Sequence, residues 1–351
     1  MLRSLGISAE RIPWRLMIIG VIVGLATPWI YFTVLGLSLE DITKIGAVPV
    51  VISSLLIITR LILQGLRFYF FLKGSRVNFN PRISECIVVR VGSEFVASTS
   101  LSYIGDELVR TGYLMSRGLD SGKALWVSYS ETFYDVFMGT SITIAAAIYV
   151  LMNKDSTLAS ILLLISLPIL IFYLSIFFSA LSGRDGSHLL DWFLNKTNHS
   201  SLLGRIINWL AETYRSFSSS LKFYHSHPNN RVIIINIILT VILAIIYGLT
   251  VFVIYSASGI RLEFYESLMA AYSGVALGVL PITLGGSGTT ELGVSLFIHS
   301  LRGDWAGSAV IAWRLSTHVT TLIVSFISLV VSLPILVKRR GLNPKSSKAR
   351  S

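Results

Sequence analysis

Six stretches of this chain are apolar and long enough to cross a bilayer, which takes about 20 residues of helix. They run at Trp14–Gly36, Val48–Leu72, Ala124–Met152, Leu158–Leu181, Val232–Ser256 and Ala306–Val337. Lipid offers no partner to a backbone N–H or C=O, so such stretches must satisfy their own hydrogen bonds as helices. Composition agrees: 53% of residues are hydrophobic and only 13% are charged, where a soluble domain carries roughly 25%. Mean hydropathy is +0.71. The expected fold class is all-α, a polytopic membrane helix bundle. Trp14–Gly36 is too long for the apolar core of a signal peptide and no small-residue cleavage pattern follows it, so it reads as a retained helix. A single cysteine, Cys86, excludes an internal disulfide.

Two further apolar stretches, Ile83–Leu114 and Phe264–Leu301, are broken in the middle. In the second, Pro281-Ile282-Thr283-Leu284-Gly285-Gly286-Ser287-Gly288-Thr289-Thr290-Glu291 separates Leu268–Leu280 from Leu292–Leu301. Each half is too short to span, and a loop at membrane depth survives only inside protein or against a cavity. Both stretches therefore read as re-entrant hairpins. Lys and Arg set the orientation by their excess in cytoplasmic loops. Arg3, Arg11, Lys73, Arg82, Arg117, Lys123, Arg184, Arg205 and the tail Lys338-Arg339-Arg340 all fall inside when six full spans are combined with two hairpins entering from opposite faces. Both termini are then cytoplasmic.

Residues 1–337 form one transmembrane domain on this reading, with a cytoplasmic amphipathic insert over 183–230 and a basic tail over 338–351. Ile206, Leu210, Phe217 and Leu221 give the insert its apolar face. The net charge of +11 would point a soluble protein toward nucleic acid. Here the basic residues flank apolar spans and face anionic lipid, so no nucleic-acid partner is expected.

Ionisable groups at membrane depth cost about 2.5–3.5 kcal/mol each and usually face a bundle interior or a wet cavity. This chain has many. Arg60, Gln64 and Arg67 share a face of the second span. Arg90 and Glu94 are one turn apart in the first hairpin, with Asp106, Glu107 and Arg110 beyond Gly105. Ser128, Glu131 and Asp135 form a stripe on the third full span. Glu291 closes the second break, and Arg314, Thr317 and His318 lie on the last span. These charges either pair to lock the bundle, as Arg90 with Glu94 would, or line a polar pathway. All the basic residues among them are arginine, whose planar fork suits phosphate. Gly285, Gly286 and Gly288 permit positive φ, and the N–H groups opening the next helix can hold an anion. The alternative is a plain helix break capped at Gly288, with Glu291 reaching back. His318, one turn from Arg314, is a proton-coupled or hydrogen-bonding group on this reading. No His-Glu-x-x-His, Cys-x-x-Cys or Gly-x-Ser-x-Gly occurs. No enzyme activity, metal or cofactor is expected.

Two blocks resemble a known family. One runs from Gly92-Ser93-Glu94-Phe95 through Gly105-Asp106-Glu107-Leu108-Val109-Arg110 to Glu131 and Asp135. The other is Pro281 to Glu291, with its Gly285-Gly286-x-Gly288-x-x-Glu291 core, followed by Ala309 and Arg314. Both are similar to motifs of the lysylphosphatidylglycerol synthase transmembrane region, a family also described as flippase-like membrane proteins of bacteria and archaea. The chain departs from it with Leu101-Ser102 where a proline is usual, and with Asp106 where a glycine is common. The resemblance implies a multi-pass protein of a prokaryotic cell membrane, without the soluble transferase domains that some relatives carry. It implies a flippase-like transporter of a lipid with an anionic or modified headgroup, phospho- or polyprenyl-type. Arg60, Arg67, Arg110 and Arg314 would meet phosphate, while Glu107, Glu131, Asp135 and Glu291 counter or gate them; Glu94, with its Arg90 pair, also lines the pathway. The alternative is a membrane partner that presents lipid to a separate glycosyltransferase or lipid-modifying enzyme. A homodimer is compatible with either.

Overall fold

The structure is a computed structural model that describes residues 43–75, 77, 79–99, 105–182, 215–220, 229–280, 282–283 and 285–337, with Ile18, Ile22 and Ala26. The expected first span, most of the 183–230 insert and the basic tail lie outside these residues. Ten helices follow: α1 (Ala47–Gly74), α2 (Ile83–Thr99), α3 (Gly105–Ser116), α4 (Ser121–Met152), α5 (Ser156–Ser182), α6 (Asn230–Ala257), α7 (Phe264–Gly278), α8 (Thr289–Arg302), α9 (Gly307–Arg314) and α10 (Thr320–Val337). A π-helical turn, Leu315–Val319, joins α9 to α10. No strand occurs among the described residues. Among the described residues five helices are long and apolar enough to cross a membrane: Ala47–Gly74, Ser121–Met152, Ser156–Ser175, Asn230–Ala257 and Gly307–Leu333.

Burial along α1 shows what the apolar sequence does. Ile57, Leu61, Phe68 and Phe71 recur at helical spacing and pack inward, while Val48, Val51, Leu55 and Ile62 point out. An outward face this apolar is a lipid-facing surface. The linkers carry ordinary stop and start signals. Asp120 caps α4 by accepting the Lys123 N–H at 3.0 Å. Gly303, at φ +70, ends α8 with its N–H on the His299 carbonyl at 2.8 Å.

The two broken stretches are helix–break–helix units, α2–α3 and α7–α8. Their limbs have 17, 12, 15 and 14 residues, or about 18–26 Å of helix, short of the roughly 30 Å hydrocarbon core. The second break touches the end of α2. A Cβ on Gly285 would stand 2.0 Å from the Ser98 carbonyl oxygen at the end of α2, and only a glycine at φ +58 fits there.

The chain is also built twice over. Span, hairpin and span recur as α1–(α2–α3)–α4 and as α6–(α7–α8)–α9/α10, and α1 and α6 are both 28 residues long. Gly65 and Gly248 occupy the same place in α1 and α6. A Cβ on Gly65 would meet Ile87 of α2, and one on Gly248 would meet Leu268 of α7, each the fifth residue of its limb. Glu85 and Glu266 are each the third residue of their limbs, and each closes its hairpin's base on an arginine: Arg117 at 2.5 Å and Arg302 at 2.6 Å. Both glutamates also accept a tyrosine hydroxyl, from Tyr113 at 3.4 Å and from Tyr149 at 3.0 Å. The closing span of each repeat packs on the first hairpin limb of the other: Leu329 against Gly92, and Thr143 donating to the Tyr272 carbonyl at 3.3 Å. The repeats run in opposite directions. Arg60 of α1 meets Tyr247 of α6 at 4.8 Å, whereas Arg67, further along α1, reaches back to Thr240, earlier on α6, at 3.0 Å.

Of the insert, the helical turn 215–220 docks below α4. Phe217, assigned to the apolar face by its spacing, is buried and stands edge-on to Tyr129 at 5.3 Å. The Ser216 hydroxyl donates to Asp120. Partial burial pushes the Asp120 carboxyl up, but that bond and the N–H groups of Lys123 and Gly122 outweigh it and hold the group below the usual carboxylate range.

Candidate functional site

The sequence-predicted residues gather into two charge centres. The first lies where α1, α2, α3 and α4 converge, with Glu131 at its hub. Arg67 approaches its Oε1 at 3.4 Å and Arg90 Nε at 3.3 Å, while Arg110 Nη1 donates to Oε2. Glu131 is fully buried, as is Arg67. Arg67 also forks onto both Asp135 oxygens at 2.5 Å and donates to Thr240. Arg90 reaches Glu94 at 2.7 Å and Asp106 at 3.6 Å. Arg110 holds Asp106 and the Thr132 hydroxyl, both at 2.9 Å. Three arginines thus face four carboxylates. Every cation is matched, as burial at this depth requires. Ser128, the remaining member of the stripe, accepts from or donates to Thr111 at 3.1 Å. Glu107 lies half-buried on the same turn as Asp106, within electrostatic reach of Arg110. One member opens outward: the Asp135 side chain is 37% exposed.

The second centre surrounds the glycine break. Gly285, Gly286 and Gly288 take φ of +58, +66 and +89, which lets the chain turn within the protein. Glu291 faces two partners, one by a hydrogen bond and one as an ion pair. Its Oε2 accepts the Gly288 N–H at 2.8 Å, and its Oε1 lies 2.9 Å from Arg314 Nε. The helix-cap role and the ion pair therefore coexist in one carboxylate. Arg314 also donates to the Gly285 carbonyl at 3.3 Å, tying the last span to the break. His318, in the π turn, is 5% exposed, with no partner on Nε2 among the described residues. The hydroxyls of Ser287 and Thr290 are also buried, with no partner among the described residues. Thr317 turns its hydroxyl back onto the Trp313 carbonyl.

Arg60 belongs to neither centre. It stacks on Tyr247 and is half-buried. Gln64, one turn on, is buried with an unpartnered Oε1. Sequence reasoning missed the base clamps Glu85–Arg117 and Glu266–Arg302, the hydroxyl partners Thr132 and Thr240, and the π turn at His318. The clamps were visible in one respect: each arginine follows its hairpin at the point where the helix ends. Among the described residues no group of three His, Cys, Asp or Glu side chains is placed to hold a metal.

The fold and these buried charges define a multi-pass membrane protein with ionised groups at membrane depth. It belongs to the family of the lysylphosphatidylglycerol synthase transmembrane region, whose profile matches residues 14–325. It is similar to a UPF0104 membrane protein of Archaeoglobus fulgidus, 24% identical over 325 residues, a match covering 90% of this chain and 96% of that relative. No solved structure matches the chain.

Proposed function

We propose that the chain is a flippase-like transporter that moves a lipid with an anionic or modified headgroup between leaflets of a prokaryotic cell membrane. The two hairpins enter from opposite faces, and both termini are cytoplasmic. The observation that carries this reading is the contact of the second helix break, at Gly285, with Ser98 at the end of α2, between oppositely directed repeats. Inverted repeats with broken helices place substrate near mid-membrane and move by rocking one repeat against the other. The charge centres supply a polar wall at that depth, and the exposed edge of Asp135 marks where it opens. The arginines of the first centre are engaged by carboxylates. A passing headgroup therefore competes with carboxylates for arginines already paired, rather than meeting free cations. The test is headgroup translocation in vesicles containing the purified protein, across a panel of labelled phospholipids and polyprenyl phosphates. Protein-dependent exchange of at least one anionic lipid is expected. Exchange no faster than in protein-free vesicles for the whole panel, with folded protein, would sink the reading.

A second reading is favoured by the family, which is defined by the membrane region of a lipid-modifying synthase. The chain would then hold lipid for a separate enzyme without moving it. Copurification of such an enzyme, together with binding but no leaflet exchange, would favour this reading over transport.

A further inference from the structure

The two repeats meet where α1 packs antiparallel on α6, and Arg60 sits at the middle of that contact, near the middle of its span. A point on the axis between inverted repeats lies at similar depth from either face. It also stays common to both arrangements when the repeats exchange roles. The chemistry at this point differs from that of every other arginine described above. Arg67, Arg90 and Arg110 are bound by carboxylates, and Arg314 by Glu291 and the Gly285 carbonyl. Arg60 has no hydrogen bond or ion pair to any described residue, and its Nε is buried without a partner. The nearby carboxylate, Asp135, is taken bidentately by Arg67. Tyr247 holds the guanidinium by its face at 4.8 Å, which leaves the edge that carries the N–H fork open. Gln64, 3% exposed and one turn along the same face, adds an amide whose NH2 can donate to a phosphate oxygen; its Oε1 has no partner among the described residues. An unpaired arginine inside a membrane span is costly, and an anion is what offsets it.

We propose that Arg60 is the subsite for a phosphate ester, held between the repeats with the Arg60 fork on its oxygens and Gln64 beside it. The site takes a lipid phosphate headgroup or free phosphate by the same chemistry. It deepens the transport reading and rests on it for the reason a headgroup reaches mid-membrane. The test is binding of dioleoylphosphatidic acid to the full chain in detergent micelles, with dioleoylglycerol, which lacks the phosphate, as the paired probe. The wild type is expected to hold phosphatidic acid over dioleoylglycerol. Arg60→Gln should weaken phosphatidic acid binding by about tenfold or more, the loss of a charge-assisted bond, while dioleoylglycerol binding stays unchanged. Arg60→Lys should keep part of the preference. Tyr247→Leu, which leaves every charge in place, should weaken binding in the same direction and guards against misfolding of the charge variant. Exposed Arg231→Gln should change nothing.

Equal phosphatidic acid affinity in wild type and Arg60→Gln would overturn the proposal, as would a wild type that holds both lipids alike. Displacement by millimolar inorganic phosphate, lost in Arg60→Gln, supports the site with the free anion as occupant. Arg60-dependent lipid binding that phosphate does not displace supports it with the headgroup as occupant. Arg60-dependent binding without leaflet exchange removes the transport reading and keeps the site, whereas exchange with Arg60-independent binding does the reverse.

Discussion

In the first repeat the distal hairpin limb is tied to the following span by Arg110 on Glu131, and Glu131 is shared with Arg67 and Arg90. In the second repeat the corresponding tie runs with opposite sign: Glu291 on the limb and Arg314 on the span. The first centre is dense, and each of its arginines is paired with carboxylates. The second holds one ion pair among glycines and the unpartnered groups of Ser287, Thr290 and His318. One backbone plan thus carries two kinds of closure, one through charge and one through close backbone packing.

The largest expected effect separates the two closures. Glu131→Gln leaves three buried arginines without their shared partner and should cost about 3–5 kcal/mol. Glu291→Gln unpairs one arginine that still holds a carbonyl, and should cost roughly 2 kcal/mol. Thermal unfolding of both variants in detergent checks the order; equal losses would break the contrast between the centres. Next come the paired glycines. A Cβ at Gly65 would lie 2.5 Å from the Ile87 Cα, so the two helices must separate, at a cost of about 2–3 kcal/mol. At Gly248 the nearest atoms are at 3.0–3.1 Å and belong largely to the Leu268 side chain. The gain in helix propensity, about 1 kcal/mol, should nearly cancel the strain there. Unfolding of Gly65→Ala and Gly248→Ala measures this directly, and a reversed order would contradict the packing.

The last effect sits outside the repeats' core. Asp120→Ala removes the α4 cap and should cost about 1 kcal/mol near neutral pH. Because the folded carboxyl is held below its ordinary value of 3.8, its contribution is present above that value. It is lost as pH falls through the lower folded value. The wild-type advantage over Asp120→Ala should therefore fade on acidification through and below the ordinary value of 3.8, read as converging unfolding temperatures.

Much of this was legible in the sequence, for physical reasons. Apolar length and the solvation demand of the backbone dictate the five described spans, and the short limbs around Gly105 and Gly285 mark both breaks. Helical spacing placed Arg90 beside Glu94 and put Glu131 and Asp135 on one stripe. The repeat was not legible. Its halves agree in helix lengths, in Gly65 and Gly248, and in Glu85 and Glu266, while most side chains at equivalent places differ: Arg67 stands where the other half has Thr250. Packing against lipid constrains size and apolarity more than identity, so the symmetry survives in geometry after it has faded from the letters. Nor does spacing show that Arg67, Arg90 and Arg110 converge on one carboxylate. That convergence depends on four helices crossing, and it turned arginines expected to be open to phosphate into paired ones, with Arg60 as the exception.

The central claim, that the two hairpins are inverted with respect to the membrane, is tested most directly by labelling single cysteines with a membrane-impermeant thiol reagent. With Cys86→Ser as background, cysteines replace Arg82 and Lys123 around the first hairpin, and Arg261 and Asp304 around the second. In oriented membranes Arg82→Cys and Lys123→Cys should both react only from the cytoplasmic face, and Arg261→Cys and Asp304→Cys only from the opposite face. A pair whose two members react from different faces would make that hairpin a full span and contradict the account.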